Sequence, residues 1–138
     1  MIKEETLLTI NYYDPLKKLV ITKSKTSNSR VPNRKEYEEV ALRTNNFLLQ
    51  YRPIHWIIDL REMHYPYPKE RMIQEATQQM QRFEYFGVKN VYYITGDNPH
   101  AINYANIFIE EVSIDYSSEK FSFSAWSALE ECMEHVER

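Results

Sequence analysis

Apolar positions along this chain recur at two periods, and each change of period marks a new element. The runs "LLTINYY" (7–13) and "KLVITKS" (18–24) are rich in β-branched and aromatic residues, which suit a pleated, half-buried surface. Between them lies "DPLK", where Pro15 presets the turn and Asp14 can bond the backbone ahead of it. An antiparallel hairpin is predicted there. "KTSNSRVPN" (25–33) has no apolar period and reads as a connection that ends at Asn33. Asn33 with Glu36 three residues later forms a capping-box pattern. From there Tyr37, Val40, Ala41, Thr44, Phe47, Leu48 and Tyr51 recur at helical steps, until Pro53 disfavours helical geometry at Arg52.

The short apolar run "IHWIIDL" (54–60) has the pattern of a strand buried on both faces. After the Pro66/Pro68 loop, Met72, Ala76, Met80 and Phe83 define a second helix, which Gly87 ends. "VKNVYYIT" (88–95) is the next strand, and Asn98 with Pro99 opens a third helix. Its inner face is Ala101, Ala105, Phe108, Ile109 and Val112. "EKFSFS" (119–124) is predicted as the last strand, with Ser124 capping a final helix whose stripe is Leu129, Cys132, Met133 and Val136. The predicted order is ββαβαβαβα in a single domain over 1–138. Its sheet is mixed and mostly parallel, with an antiparallel hairpin at the N-terminus and flanking helices.

Composition narrows the function. The single cysteine, Cys132, rules out an internal disulfide and fits a reducing, cytoplasmic setting. No run of about 18 apolar residues would span a bilayer. A net charge of −3 speaks against general nucleic-acid binding. That charge is uneven: residues 1–35 hold eight Lys or Arg against three Asp or Glu, and residues 110–138 hold two against eight. The first reading of this unevenness is solvated faces, and the sharper one is a basic hairpin that docks an acidic partner, such as the acidic end of a second copy; a two-fold homodimer is the expected assembly.

The segments "HWIIDLREM", "VKNVYYIT" and "FSFSAWSALEECMEHV", following the hairpin in this order, resemble the STAS and SpoIIAA-like families. The resemblance is one of pattern over nearly the whole chain. It implies a non-enzymatic regulatory or protein-interaction domain, with Asp59 at the end of the central strand as its most telling residue. In the anti-sigma-factor antagonists of that family a phosphorylatable serine opens the next helix. Here "PYPKE" stands in that place, and no Ser or Thr lies between Asp59 and Met72. Other SpoIIAA-like relatives resemble lipid or small-ligand carriers, so a small apolar ligand between sheet and helices is the alternative expectation.

In open α/β sheets ligands gather at the carboxyl ends of parallel strands. Two such ends are predicted, one carrying Asp59, Arg61, His64, Tyr65 and Tyr67, the other Asp97 and His100. If the strands are neighbours, these residues share one rim suited to a ligand or protein contact. An enzyme using Asp59 and His64 is a third and weaker expectation. There is no Gly-x-Ser-x-Gly elbow, and the only glycines, Gly87 and Gly96, have turn duties, so no phosphate-binding loop or dinucleotide fingerprint exists. No catalytic residue, metal site or cofactor is assigned. Glu130, Glu131 and Glu134 disfavour a thiolate at Cys132. The stripe of Met72, Met80 and Phe83 is expected to be core.

Overall fold

The structure is a computed structural model that describes residues 1–25, 30–113 and 121–137. It is an α/β fold built on a six-stranded mixed sheet whose strands lie side by side in chain order. These are β1 (Ile2–Glu5), β2 (Thr9–Asp14), β3 (Leu19–Ser24), β4 (His55–Asp59), β5 (Asn90–Ile94) and β6 (Ser122–Trp126). The first three pair antiparallel, and β3 to β6 pair parallel. The helices are α1 (Arg34–Tyr51), α2 (Lys69–Met80), α3 (Phe83–Phe86), α4 (Pro99–Ile107) and α5 (Leu129–Glu137), and a π-helical turn, Phe108–Val112, continues α4.

The local signals at Asp14, Asn33, Pro53 and Gly87 are satisfied. Asp14 Oδ1 accepts from the amides of Leu16 and Lys17 at 3.0 and 3.3 Å, which closes the β2–β3 turn. Asn33 caps α1, with the reciprocal Glu36 bond in place. Arg52, held before Pro53, adopts the left-handed conformation with φ 46° and ends α1. Gly87 does the same after α3 at φ 79°, where a Cβ would be strained.

Because each parallel crossover steps to the next strand in the same direction, the three crossing helices share one face. Val20, Trp56, Val91 and Tyr93 from the sheet join Phe47, Leu48, Met72, Phe83, Ala105 and Phe108 in one core. The neighbouring residues Leu19, Ile57, Tyr92 and Ile94 point to the opposite face, where α5 covers them with Leu129, Cys132, Met133 and Val136. Period-two alternation along buried strands therefore feeds two cores.

The predicted order needs three corrections. An additional strand, β1, lies at the edge, so the run 7–13 supplies an interior strand. "IKEE" carries no apolar alternation, and its pairing with the open side of β2 makes it a strand. The second predicted helix is two: i→i+3 bonds from Arg82 to Gln79 O and from Tyr85 to Arg82 O, both 3.0 Å, break it after Met80. The last strand runs on to Trp126, so Ser124 lies inside β6 and accepts from Trp126 Nε1 at 2.9 Å instead of capping a helix. Phe121 and Phe123 both pack on the crossover-helix core. Residues 26–29 of the connection read at 25–33, and Glu119 and Lys120 of the last predicted strand, lie outside the described residues.

Candidate functional site

The ends of β4 and β5 are neighbours, and the two loops leaving them are joined. Asn98 Nδ2 donates to Arg61 O at 3.0 Å and to Met63 O at 2.8 Å, while Asn98 Oδ1 accepts from His100 N and caps α4. Gly96 lies so close to Arg61 that a Cβ there would come within 3.2 Å of its Cγ. Asp59 is 4% exposed. Its carboxylate takes the Arg61 guanidinium through Nε at 3.0 Å and Nη2 at 2.7 Å, and also the Arg61 amide at 3.1 Å. That bond to Asp59 raises the Arg61 pKa. An open hollow of about 410 Å³ beside it is bounded by Ile10, Tyr12, Lys23, Lys25 and Glu62.

The seven residues predicted for one rim divide among three places. Asp59 and Arg61 sit on the α5 side of the sheet as a closed pair. His64 points outward and meets Glu62 at 3.1 Å, Asp97 is exposed, and His100 is half-buried at the start of α4. Tyr65 and Tyr67 turn under the sheet to the crossover-helix side, where both pack into the core. The Tyr67 hydroxyl donates to Glu75, and the Arg71 guanidinium lies 5.4 Å from the Tyr67 ring centre. Among the described residues no three His, Cys, Asp or Glu side chains gather as a metal centre requires.

A larger feature lies on that same side. A cleft of about 740 Å³ opens between α1 and α2–α3, bordered by Tyr37, Leu42, Leu49, Gln78, Arg82 and Tyr85. Polar bonds cross the gap: Arg71 Nη1 to Pro32 O at 2.6 Å, Gln79 Nε2 to Asn45 Oδ1 at 2.7 Å, and Arg52 Nη1 to Tyr85 O at 2.5 Å. Beneath the middle one is an inner cavity of about 150 Å³. Tyr37, Ala41, Asn45 and Gln79 border both spaces, so the Asn45–Gln79 bond stands between them. The cavity floor is the sheet, through Trp56, Ile58 and Tyr93, and its walls include Phe83, Tyr104 and Phe108. The wide π turn places Phe108 there.

The cavity walls mix apolar rings with polar groups. Tyr37, Tyr93 and Tyr104 bring three phenols to it, and their hydroxyls bond to no described residue. Burial raises the pKa of each, Tyr37 to about 12 and the other two further, with Glu75 adding to the shift at Tyr37 and Tyr104. All three are therefore protonated donors at neutral pH. Polar groups nearby are satisfied: the fully buried Asn11 accepts from Thr22 at 2.7 Å and donates to Thr44 at 3.4 Å, and Trp56 Nε1 donates to Thr22 at 3.0 Å.

The rim prediction did not reach this cavity. One trace was present in the chain: Thr44 interrupts the apolar stripe of α1, with Asn45 beside it. The gap between α1 and α2 has no sequence signal. Cys132, expected to be a packed thiol, is fully buried under α5, and burial pushes its pKa to about 11. Lys17 of the basic hairpin meets Glu137 of the acidic end at 2.5 Å, so part of the charge complement closes within the chain. Among the described residues no helix is long and apolar enough to cross a membrane.

No family model matches the chain, and neither does any curated protein or solved structure.

Proposed function

We propose that this chain is a non-enzymatic binding module of STAS/SpoIIAA-like build that holds a small molecule in the cavity between α1, α2, α4 and the sheet. The likeness rests on the hairpin followed by parallel strands with crossing helices, and on Asp59 at the end of β4. One observation carries the ligand-binding reading: three phenol donors border a 150 Å³ cavity whose other walls are mostly apolar and whose two amides, Asn45 and Gln79, are bonded to each other. A core element would pair or exclude such groups; a pocket keeps a few of them convergent in apolar surroundings. The same lining supports binding over catalysis. Its phenols are held protonated, and Glu75 is engaged by Tyr67 and by Arg71 Nε at 2.9 Å.

A regulatory, protein-interaction role is the second reading, favoured by Leu42, Leu49 and Tyr85, which stand 62%, 45% and 68% exposed on the lips of the cleft. The two readings separate by experiment. Titration with fragment-sized molecules should shift amide resonances of Ala76, Tyr93 and Phe108 if the cavity binds. Shifts confined to the cleft lips, or none, would sink the cavity reading. Loss of a captured protein on Leu42→Ser with Tyr85→Ser would support the second.

A further inference from the structure

We infer that the ligand class is a neutral, ring-sized molecule carrying a hydrogen-bond-accepting oxygen, such as a ring carbonyl or an aryl ketone; this rests on the cavity reading above. Size comes first. A space of about 150 Å³ matches one benzene-sized ring. Shape follows from the lining: Trp56, Phe83 and Phe108 are aromatic, and Trp56 and Phe83 meet edge to face with centroids 5.9 Å apart. Flat ligands pack on such surfaces in offset or edge-on contact.

Polarity comes from the hydroxyls of Tyr37, Tyr93 and Tyr104. These are donors in need of an acceptor, and no described side chain supplies one. The neighbouring amides do not compete for the ligand, because Asn45 and Gln79 are bonded to each other.

Charge decides the last point. Glu75 lies near enough to Tyr37 and Tyr104 to influence both, so an anion entering beside it would be repelled. Arg71 offsets this only in part: it opposes Glu75 at Tyr37 and keeps a buried Nη2 without a partner among the described residues, but it does not border the cavity, and at Tyr104 Glu75 acts without it. A cation would find that Glu75 carboxylate already taken by Arg71 and Tyr67. A neutral acceptor fits what remains.

Four probes of similar size test this by NMR titration or calorimetry: acetophenone, ethylbenzene, benzoate and phenyltrimethylammonium. Acetophenone should bind roughly fivefold more tightly than ethylbenzene, the effect of one net neutral hydrogen bond, and both charged probes more weakly than either. In the triple variant Tyr37→Phe, Tyr93→Phe and Tyr104→Phe, which keeps the three rings, the preference for acetophenone should fall to about one while ethylbenzene binding holds. Ala76→Leu, which fills the cavity, should abolish binding of both neutral probes. Equal binding of acetophenone and ethylbenzene by the parent chain, or strongest binding of either charged probe, would overturn the ligand class but leave the site standing. No binding by any probe would overturn the site itself.

Discussion

Two clusters of polar groups lie within the same sheet-and-helix framework and have opposite fates. At the ends of β4 and β5, the Asp59 carboxylate takes the Arg61 guanidinium, and the Asn98 amide donates to the backbone carbonyls of Arg61 and Met63, with bonds of 2.7–3.2 Å. On the crossover-helix side, the hydroxyls of Tyr37, Tyr93 and Tyr104 converge on a cavity and find no such complement among the described residues. Both clusters contain chemistry-bearing residues. What separates them is satisfaction: the first is closed within the chain and acts as a structural brace, while the second remains available to something else.

The contrast can be broken by mutation, and the largest effect is expected at the brace. Asp59→Ala strands Arg61 and a backbone amide, and should lower the unfolding free energy by about 2–3 kcal/mol, the range for hydrogen bonds to charged groups. Tyr93→Phe, by comparison, deletes a hydroxyl without a protein partner and should change it by less than about 0.5 kcal/mol. Urea denaturation of both variants measures the difference; equal losses would erase the distinction between the two clusters.

Next in size is Asn98→Ala, which removes the cap of α4 and the tie to Arg61 O and Met63 O. A loss of about 1–2 kcal/mol is expected, in the upper range for an N-cap. Asn98→Asp, which keeps the cap but cannot donate to the two carbonyls, should recover part of it.

Alkaline pH probes the cavity specifically. Burial raises the Tyr37 phenol from 10.0 to about 12 in the folded chain. The folded state thus holds its proton where the unfolded state loses it, so this stabilisation is complete below pH 10 and disappears as pH rises through about 12. Thermal midpoints recorded from pH 8 to 12 should fall above pH 10, and Tyr37→Phe should fall less steeply.

The smallest effect lies on the α5 face, outside both clusters. Burial, with His135 nearby, lowers the pKa of His55, whose Nδ1 is 3.2 Å from the Tyr92 hydroxyl and from the Asn90 amide nitrogen. The stability from keeping this ring neutral is present above about pH 6.5 and is lost as pH falls through the lower folded value. His55→Gln should flatten the acid side of the stability curve between pH 6.5 and 5 while leaving the alkaline side unchanged.

Much of the framework was legible because its signals are local. Asn33 and Glu36 cap a helix whatever surrounds them, Pro53 restricts Arg52, and Gly87 permits a left-handed φ that a side chain would resist. The four-residue stripe of α5 likewise found the sheet face it was built to cover. What was illegible depends on partners distant in sequence. "IKEE" becomes a strand only beside β2. Ser124 belongs to a strand because β6 stays in register with β5, placing Ser124 opposite Tyr92.

The rim was half legible for the same reason. The neighbouring strand ends and the Asn98 cap follow from element order and local chemistry. That Tyr65 and Tyr67 pass beneath the sheet, leaving Asp59 and Arg61 on the other side, depends on how the Pro66/Pro68 loop reaches α2.

By itself, then, the amino-acid sequence determined an alternation of strands and helices, their caps and stops, and the two-sided burial of the central strands. These depend on interactions a few residues apart. Tertiary structure alone decided which polar groups would meet. The spacing of α1 from α2, bridged by Gln79–Asn45, leaves room for a cavity, and its size depends on how whole helices settle on the sheet. Whether a tyrosine hydroxyl finds an acceptor is likewise a matter of distances between elements far apart in the chain.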